Sequence, residues 1–357
     1  MKKSLIALAV LAASGAAMAQ SSVTLYGVAD AGVTYLNGND NWSGVTSGNN
    51  LTSRLGFRGT EDLGGGLKAN FVLEGGFNLD NGDGASGYAG AKAGEGFQFK
   101  RRSTVGLAGS FGEVRLGREL TAAYNATARY DVFGSVGIGQ SRLWADGDVV
   151  DANANASAVT TNQRISNALT YVSPSFSGFK VGVNYGFGET TNGNSDSSYM
   201  GAGLMYDNGP LSLGLGLERL NNGANSVAVS DIDAWSLGGS YDFGVAKLLA
   251  GYRESKVDRA TGENKRLGYY VAATAPVGAG TVRVSYNRYE NELANVKGKA
   301  DQFAIGYVYG LSKRTSVYGT YAYLKNKDGA NLYTLGSGGL KTNGSQQGVQ
   351  VGVSHSF

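Results

Sequence analysis

The chain has 357 residues, with 31 lysines and arginines against 28 aspartates and glutamates, and no cysteine. So small a charge excess gives no reason to expect nucleic acid or an acidic partner, and the missing cysteines exclude disulfides and thiol chemistry. No run of roughly 18 apolar residues follows the N-terminal leader, which excludes membrane helices; the 57 glycines, 21 tyrosines and 3 prolines, without sustained helical period, point to an all-β chain.

Residues 1–19 read MKKSLIALAVLAASGAAMA. Lys2 and Lys3 make a basic start, Leu5 to Ala13 a short apolar centre, and Ala17-Met18-Ala19 a small-x-small cleavage site. This predicts a secretory signal peptide and a mature chain, 20–357, beyond the inner membrane. Removing the two lysines leaves 29 basic against 28 acidic residues.

The first strand is expected over Val23–Tyr35. In the stretch that follows, SRLGFRGTEDLGGGL, Leu55 and Phe57 share one face of an extended chain while Arg54, Gly56 and Arg58 share the other. Leu67–Phe77 alternates in the same way, with Lys68, Asn70 and Glu74 opposite its apolar side. The pattern returns in Phe179–Phe187, in Pro210–Leu217 with its four leucines, and in Gln302–Leu311. The apolar faces of these segments carry no charge, and most stripes are about nine to eleven residues long, the length a tilted strand needs to cross a bilayer.

Short turns fall at Leu63–Gly66, Ser110–Gly112, Pro174–Gly178, Asp207–Pro210, Asp242–Gly244, Pro276–Gly280 and Leu311–Lys313. They pair fourteen strands at one end. A first strand and a last one, Gly348–Phe357, make sixteen. Longer segments rich in Asn, Gly, Asp and Ser join the other ends: Leu36–Asn50, Asp80–Gly96, Glu119–Gln163, Glu189–Ser197, Asn221–Asp231, Lys256–Lys265, Glu290–Ala300 and Lys325–Ser345. The expected fold is therefore a 16-stranded antiparallel transmembrane β-barrel. Hydrocarbon tolerates no unpaired backbone group, so the sheet must close, and sixteen strands leave a lumen too wide for side chains to fill. Leu55 and Phe57 then face lipid, while Arg54 and Arg58 face water. The segment 119–163 is too long for an ordinary connection and is expected to fold inward and narrow the pore.

At this point the sequence resembles the general diffusion porins of Gram-negative outer membranes, most closely the β-proteobacterial type. The resemblance is carried by SSVTLYGVADAGV (Ser21–Val33), SRLGFRGTEDLGGGLKANFVLE (Ser53–Glu74), VGLAGSFGEVRLGR (Val105–Arg118), TYVSPSFSGFKVGVNYG (Thr170–Gly186) and the terminal VGVSHSF (Val351–Phe357). It implies a homotrimer and passive diffusion of small hydrophilic solutes and ions. It also implies outer-membrane lipid and lipopolysaccharide as surroundings, and a terminal strand ending on Phe357 that the barrel assembly machinery reads. It further implies a constriction in which wall arginines face acids on the third loop. The wall positions match Arg54 in SRLGF, Arg101 in FKRRS and Arg164 in RISN, with Arg58 and Arg102 beside them. The loop acid falls near Asp131 in YDVFG, where the proline common in the family's turn is missing; Asp146, Asp148 and Asp151 are alternative acids on the same loop. Asp30 is expected to face the lumen.

Arginine suits such a site because a guanidinium stays charged among other cations, where an ammonium would tend to lose its proton. A row of positive charge across a narrow pore favours polar solutes and sets ion preference. The inward positions include Arg54, Arg58, Lys68, Lys180 and Arg283 against Asp30, Glu74 and Glu218, which predicts a weak anion preference. No enzyme is expected. The single histidine, His355, falls on the last strand, outward by parity, far from the role of a general base. GDGASG (Gly82–Gly87) matches a dinucleotide-binding pattern by letter but lacks the strand-to-helix context. No cofactor, metal-spacing cluster or nucleic-acid surface is indicated. A substrate-specific channel is the alternative, since the third loop offers Tyr124, Tyr130, Phe133 and Trp144 as stacking platforms.

Overall fold

The structure, a computed structural model, describes residues 22–84, 96–145, 163–188, 198–221, 231–259, 262–293, 296–330, 333–337 and 341–357. The expected signal peptide lies outside them. The strands are β1 (Ser22–Asn37), β2 (Asn41–Ser47), β3 (Arg54–Gly64), β4 (Leu67–Gly76), β5 (Arg102–Gly109), β6 (Gly112–Leu120), β7 (Arg164–Val172), β8 (Phe179–Gly186) and β9 (Ser198–Asn208). They continue with β10 (Leu211–Asn221), β11 (Asp231–Asp242), β12 (Lys247–Arg259), β13 (Gly262–Val277), β14 (Gly280–Leu293), β15 (Val296–Gly310), β16 (Thr315–Lys327) and β17 (Ser345–Ser356).

All seventeen belong to one antiparallel sheet. It closes because β1 pairs with β17, and the chain ends are tied by reciprocal bonds of 3.1 Å between Gly27 and Phe357. The seventeen pieces fill sixteen positions, since β2 lies against the loop-side half of β1 and β3 against its other half. Alternation sets the two surfaces. Val33 and Val351 are paired and remain 61% and 57% exposed on the outside, whereas Thr34 and Gln350, one step on, are buried within. Outside apolar and inside polar is the arrangement a bilayer imposes.

The seven short turns lie where the sequence places them, at residues 65–66, 110–111, 173–178, 209–210, 243–246, 278–279 and 311–314. Three expected long connections are corrected. Leu36–Asn50 is a tight hairpin followed by β2, and the irregular part is only 48–53. Lys256–Lys265 and Glu290–Ala300 are largely ladder, because β12 to β15 run past the apolar band as charged, paired strand. Polar strand above a membrane satisfies its backbone as well as apolar strand does but loses the alternation that marks it.

The third connection lies against the inner wall. Thr121 caps a short helix, Ala122–Thr127, by accepting from the Tyr124 N–H at 3.2 Å; a single 3₁₀ turn, Ala128–Tyr130, and a second short helix, Arg142–Ala145, follow. The small residues of the first helix meet glycines on the inward faces of β9 and β10. A Cβ at Gly203 would lie 2.2 Å from the Ala122 carbonyl oxygen, and one at Gly214 would lie 2.0 Å from that of Ala126. Glycine is thus what lets the segment sit flush on the wall. Gly214→Val is expected to weaken that seat by about 1–3 kcal/mol and to raise single-channel conductance; a variant with parental conductance would show that the seat does not limit the passage.

Candidate functional site

Three of the expected wall arginines converge. Arg54 opens β3, Arg101 immediately precedes β5 and Arg164 opens β7, so all three stand at the loop-side ends of strands that descend to the short turns. Arg101 interacts electrostatically with both Arg54 and Arg164. Arg164 Nε donates to the Arg101 carbonyl at 3.0 Å, and Arg101 Nε donates to Glu74 at 2.8 Å. Glu74 also accepts from the Tyr26 hydroxyl at 3.0 Å and lies within the field of Arg54. Among the described residues, Glu74 is thus the carboxylate that this arginine group gathers round. Glu74 and Arg102 are cross-strand partners, so acid and bases are held in register by the sheet itself.

Arg58 and Arg102 form a second group toward the turn side. They share a cavity of ≈ 340 Å³ with Arg115 and Glu113. The Arg58 guanidinium lies 5.1 Å from the centre of the Tyr26 ring, and Arg102 Nε donates to Thr104 at 3.0 Å. Arg115 spans Glu113 at 2.6 Å and Glu119 at 2.8 Å.

Asp131 stands elsewhere. Its carboxylate is buried and accepts the backbone N–H groups of Phe133, Ser135 and Ser141, each at 2.9 Å. Burial pushes its carboxyl above the ordinary aspartate range, against the pull of these three donors and of the Arg283 guanidinium. It organises the loop from within. Asp146, Asp148 and Asp151 lie outside the described residues. The loop aromatics are equally committed: Tyr130, Phe133 and Trp144 are 2%, 3% and 1% exposed, and Trp144 packs edge-on against Tyr270 at 5.6 Å. They are core, which removes the aromatic track a substrate-specific channel would need; Tyr124, half-buried, stands between Asp131 and the Arg164–Arg101 pair and feels the charges of all three.

Two features were not foreseen. Arg283 on β14 donates to the Val132 carbonyl at 3.1 Å and to Asn50 at 2.9 Å, with its guanidinium 4.8 Å from the centre of the Phe133 ring. It therefore joins the loop to the excursion at 48–53. Asp30, far from lining open water, is 0% exposed. It holds that excursion by accepting the N–H groups of Asn49, Asn50 and Leu51 at 2.7, 3.2 and 3.0 Å, and the Tyr318 hydroxyl at 2.8 Å. Gln350 completes the join: it donates to Asn49 at 2.8 Å and accepts from the Ile138 N–H at 3.3 Å. The local signal was the repeat of small polar residues Ser47-Gly48-Asn49-Asn50, which favours turning backbone over strand.

The described parts of the loop and the excursion thus lie against the inner faces of β8–β17 and β1, while the arginines stand on β3–β7. A closed barrel of sixteen positions, greasy outside and polar within, is the form of a water-filled channel of the outer membrane. A family model described as Gram-negative porin matches residues 5–329. Outer membrane porin protein 32 of Delftia acidovorans is 46% identical, with all of both chains covered, and an outer membrane porin protein of Bordetella pertussis is 34% identical over 91% of this chain and 95% of its own. The solved structure of an anion-selective porin from Comamonas acidovorans superposes with a TM-score of 0.82 at 42% identity, covering 95% of this chain and 100% of that one. The chain belongs to the Gram-negative porin family and spans the outer membrane as a multi-pass β-barrel.

Proposed function

We propose that the channel is a homotrimeric general diffusion pore with a weak preference for anions, passing small hydrophilic solutes without saturation. The observation that carries this reading is the group Arg54, Arg101 and Arg164 gathered, among the described residues, round the carboxylate of Glu74. Arg58 and Arg102 continue positive charge along the same wall, while Arg115 is offset by Glu113 and Glu119. The segment 119–163 acts as the constricting element and the arginines as the opposite side of the narrowest point. A fixed excess of positive charge in a narrow, low-dielectric passage raises the local concentration of anions. The anion selectivity named for the similar Comamonas porin supports the same sign. Phe357, paired to Gly27 at the seam, is read as the signal recognised by the barrel assembly machinery, and lipid with lipopolysaccharide surrounds the outer face.

The test is reversal potential across a salt gradient in a planar bilayer, together with liposome swelling in solutes of graded size. The expected results are a potential on the anion-selective side and swelling rates that fall smoothly with solute size. A clear cation preference defeats the selectivity reading, and saturation with sharp discrimination among equal-sized solutes defeats the general pore. Conductance steps in groups of three are expected from the trimer.

A further inference from the structure

One two-residue step below Arg54, toward the short turns, a single row crosses four strands. Tyr26 on β1, Gly56 on β3, Glu74 on β4 and Arg102 on β5 are successive cross-strand partners. Neighbouring strands stand about 4.8 Å apart, so the backbones of Tyr26 and Glu74, two strands from each other, are separated by about 10 Å. Their side chains meet all the same: the Tyr26 hydroxyl donates to Glu74 Oε2 at 3.0 Å. The tyrosine ring crosses over Gly56 to do so. A Cβ on that glycine would lie 2.6 Å from Tyr26 Cζ and 2.7 Å from its hydroxyl oxygen. The missing side chain on β3 is thus the condition for a bond between β1 and β4.

This bond divides the Glu74 carboxylate between two donors. Oε1 takes Arg101 Nε at 2.8 Å, and Oε2 takes Tyr26. Guanidinium groups stand on every side of the pair. Arg54, Arg101 and Arg164 interact with the charge of Glu74, Arg102 is its cross-strand partner, and Arg58 lies over the Tyr26 ring. The next carboxylates along the wall, Glu113 and Glu119, are engaged by Arg115. A Glu74 side chain free to turn would carry its charge into the passage and cancel a neighbouring guanidinium there. Tied at both oxygens, it is held at 15% exposure.

We propose that Tyr26 is a positioning residue for ion selection: its hydroxyl keeps the Glu74 carboxylate drawn back on the wall, so that the arginine group acts on a passing ion with little opposition. The hydroxyl is the part of the side chain that matters. A phenylalanine ring would cover Gly56 and underlie Arg58 equally well, but only the hydroxyl reaches Glu74. A neutral donor also suits the place, since it fixes the carboxylate without adding a charge of its own to the field. The inference rests on the reading of the arginine group as the ion-selecting site.

The experiment measures reversal potential across a potassium chloride gradient, with the refolded mature channel in planar bilayers. Tyr26→Phe removes the hydroxyl alone, and the anion-to-cation permeability ratio is expected to fall about twofold. Glu74→Gln leaves no charge to be positioned, so adding Tyr26→Phe to it is expected to change nothing further. Gly56→Ala keeps both partners but puts a methyl group where the ring crosses, and is expected to lower the ratio in the same direction as Tyr26→Phe. A parental ratio in Tyr26→Phe overturns the proposal. So does an equal fall when residue 74 is already glutamine, because the hydroxyl would then act on the barrel at large and not through Glu74. The sign of the parental potential tests the anion reading itself, whereas the difference between variant and parent tests Tyr26, so the two failures are told apart.

Discussion

Replacing Arg54 and Arg101 together by glutamine is expected to lower the anion-to-cation permeability ratio several-fold and to raise conductance modestly. The two side chains belong to one group with Arg164, and the field the group sets, at the proposed constriction, is that of the three against Glu74. Each charge removed at close range in a partly desolvated passage alters ion free energy by about 1 kcal/mol, and two act in the same direction. Glu74 would then stand with less positive charge round it and favour cations directly. The reverse variant, Glu74→Gln, is expected to shift the ratio toward anions. Both shifts should shrink as salt is raised from 0.1 to 1 M, since the screening length falls from about 10 to about 3 Å. Reversal potentials in planar bilayers measure this; a double variant with the parental value would mean that these arginines do not line the ion path.

The largest effect on stability is expected from Asp30→Ala. The side chain accepts three consecutive backbone N–H groups of the excursion and one tyrosine hydroxyl, all in a fully buried place. Its loss leaves four donors without their acceptor, and buried networks broken from one side cost about 3–5 kcal/mol. The temperature at which the folded barrel converts to unfolded chain on a denaturing gel should fall markedly. Conductance should also become larger and noisier, because Asn50 would no longer be presented to Arg283, one of the residues that support the loop. Asp30→Asn, which keeps one acceptor, is expected to fall between. An unchanged transition temperature in the alanine variant would show that the excursion is held by Arg283 and Gln350 alone.

What could be read from the chain follows from what the bilayer demands. Leu211, Leu213, Leu215 and Leu217 alternate because lipid is on one side and the lumen on the other, so the strand is visible in the letters. The loop-side ends of β12–β15 touch no lipid, carry charges on their outward faces, and look like loops although they are paired throughout. β2 is hidden for a related reason: its Trp42 turns inward to pack against the cluster of Leu36 and Phe133, and Val45 alone on the outside makes no stripe. Strand parity marks Arg54 as inward and the motifs mark Arg101 and Arg164, and the fold brings the three together at neighbouring strand ends. The inward turn of the Asp131 carboxylate was not legible, although the signal was local: an aspartate two and four residues before exposed N–H groups readily closes its own turn. Arg283 was recognised as inward, but its task depends on Asn50 and Val132, which are brought to it only by the closed barrel.

The clamp round Asp30 draws on both ends of the chain. Asp30 itself comes from the first strand, Tyr318 from the last but one, and Gln350 from the strand that meets the first. The bonds from Tyr318 and Gln350 cannot form while the seam between β1 and β17 is open, whereas the three backbone bonds to Asp30 are local. The clamp is therefore completed only when the cylinder closes, and a half-inserted polypeptide would hold the excursion by its local bonds alone.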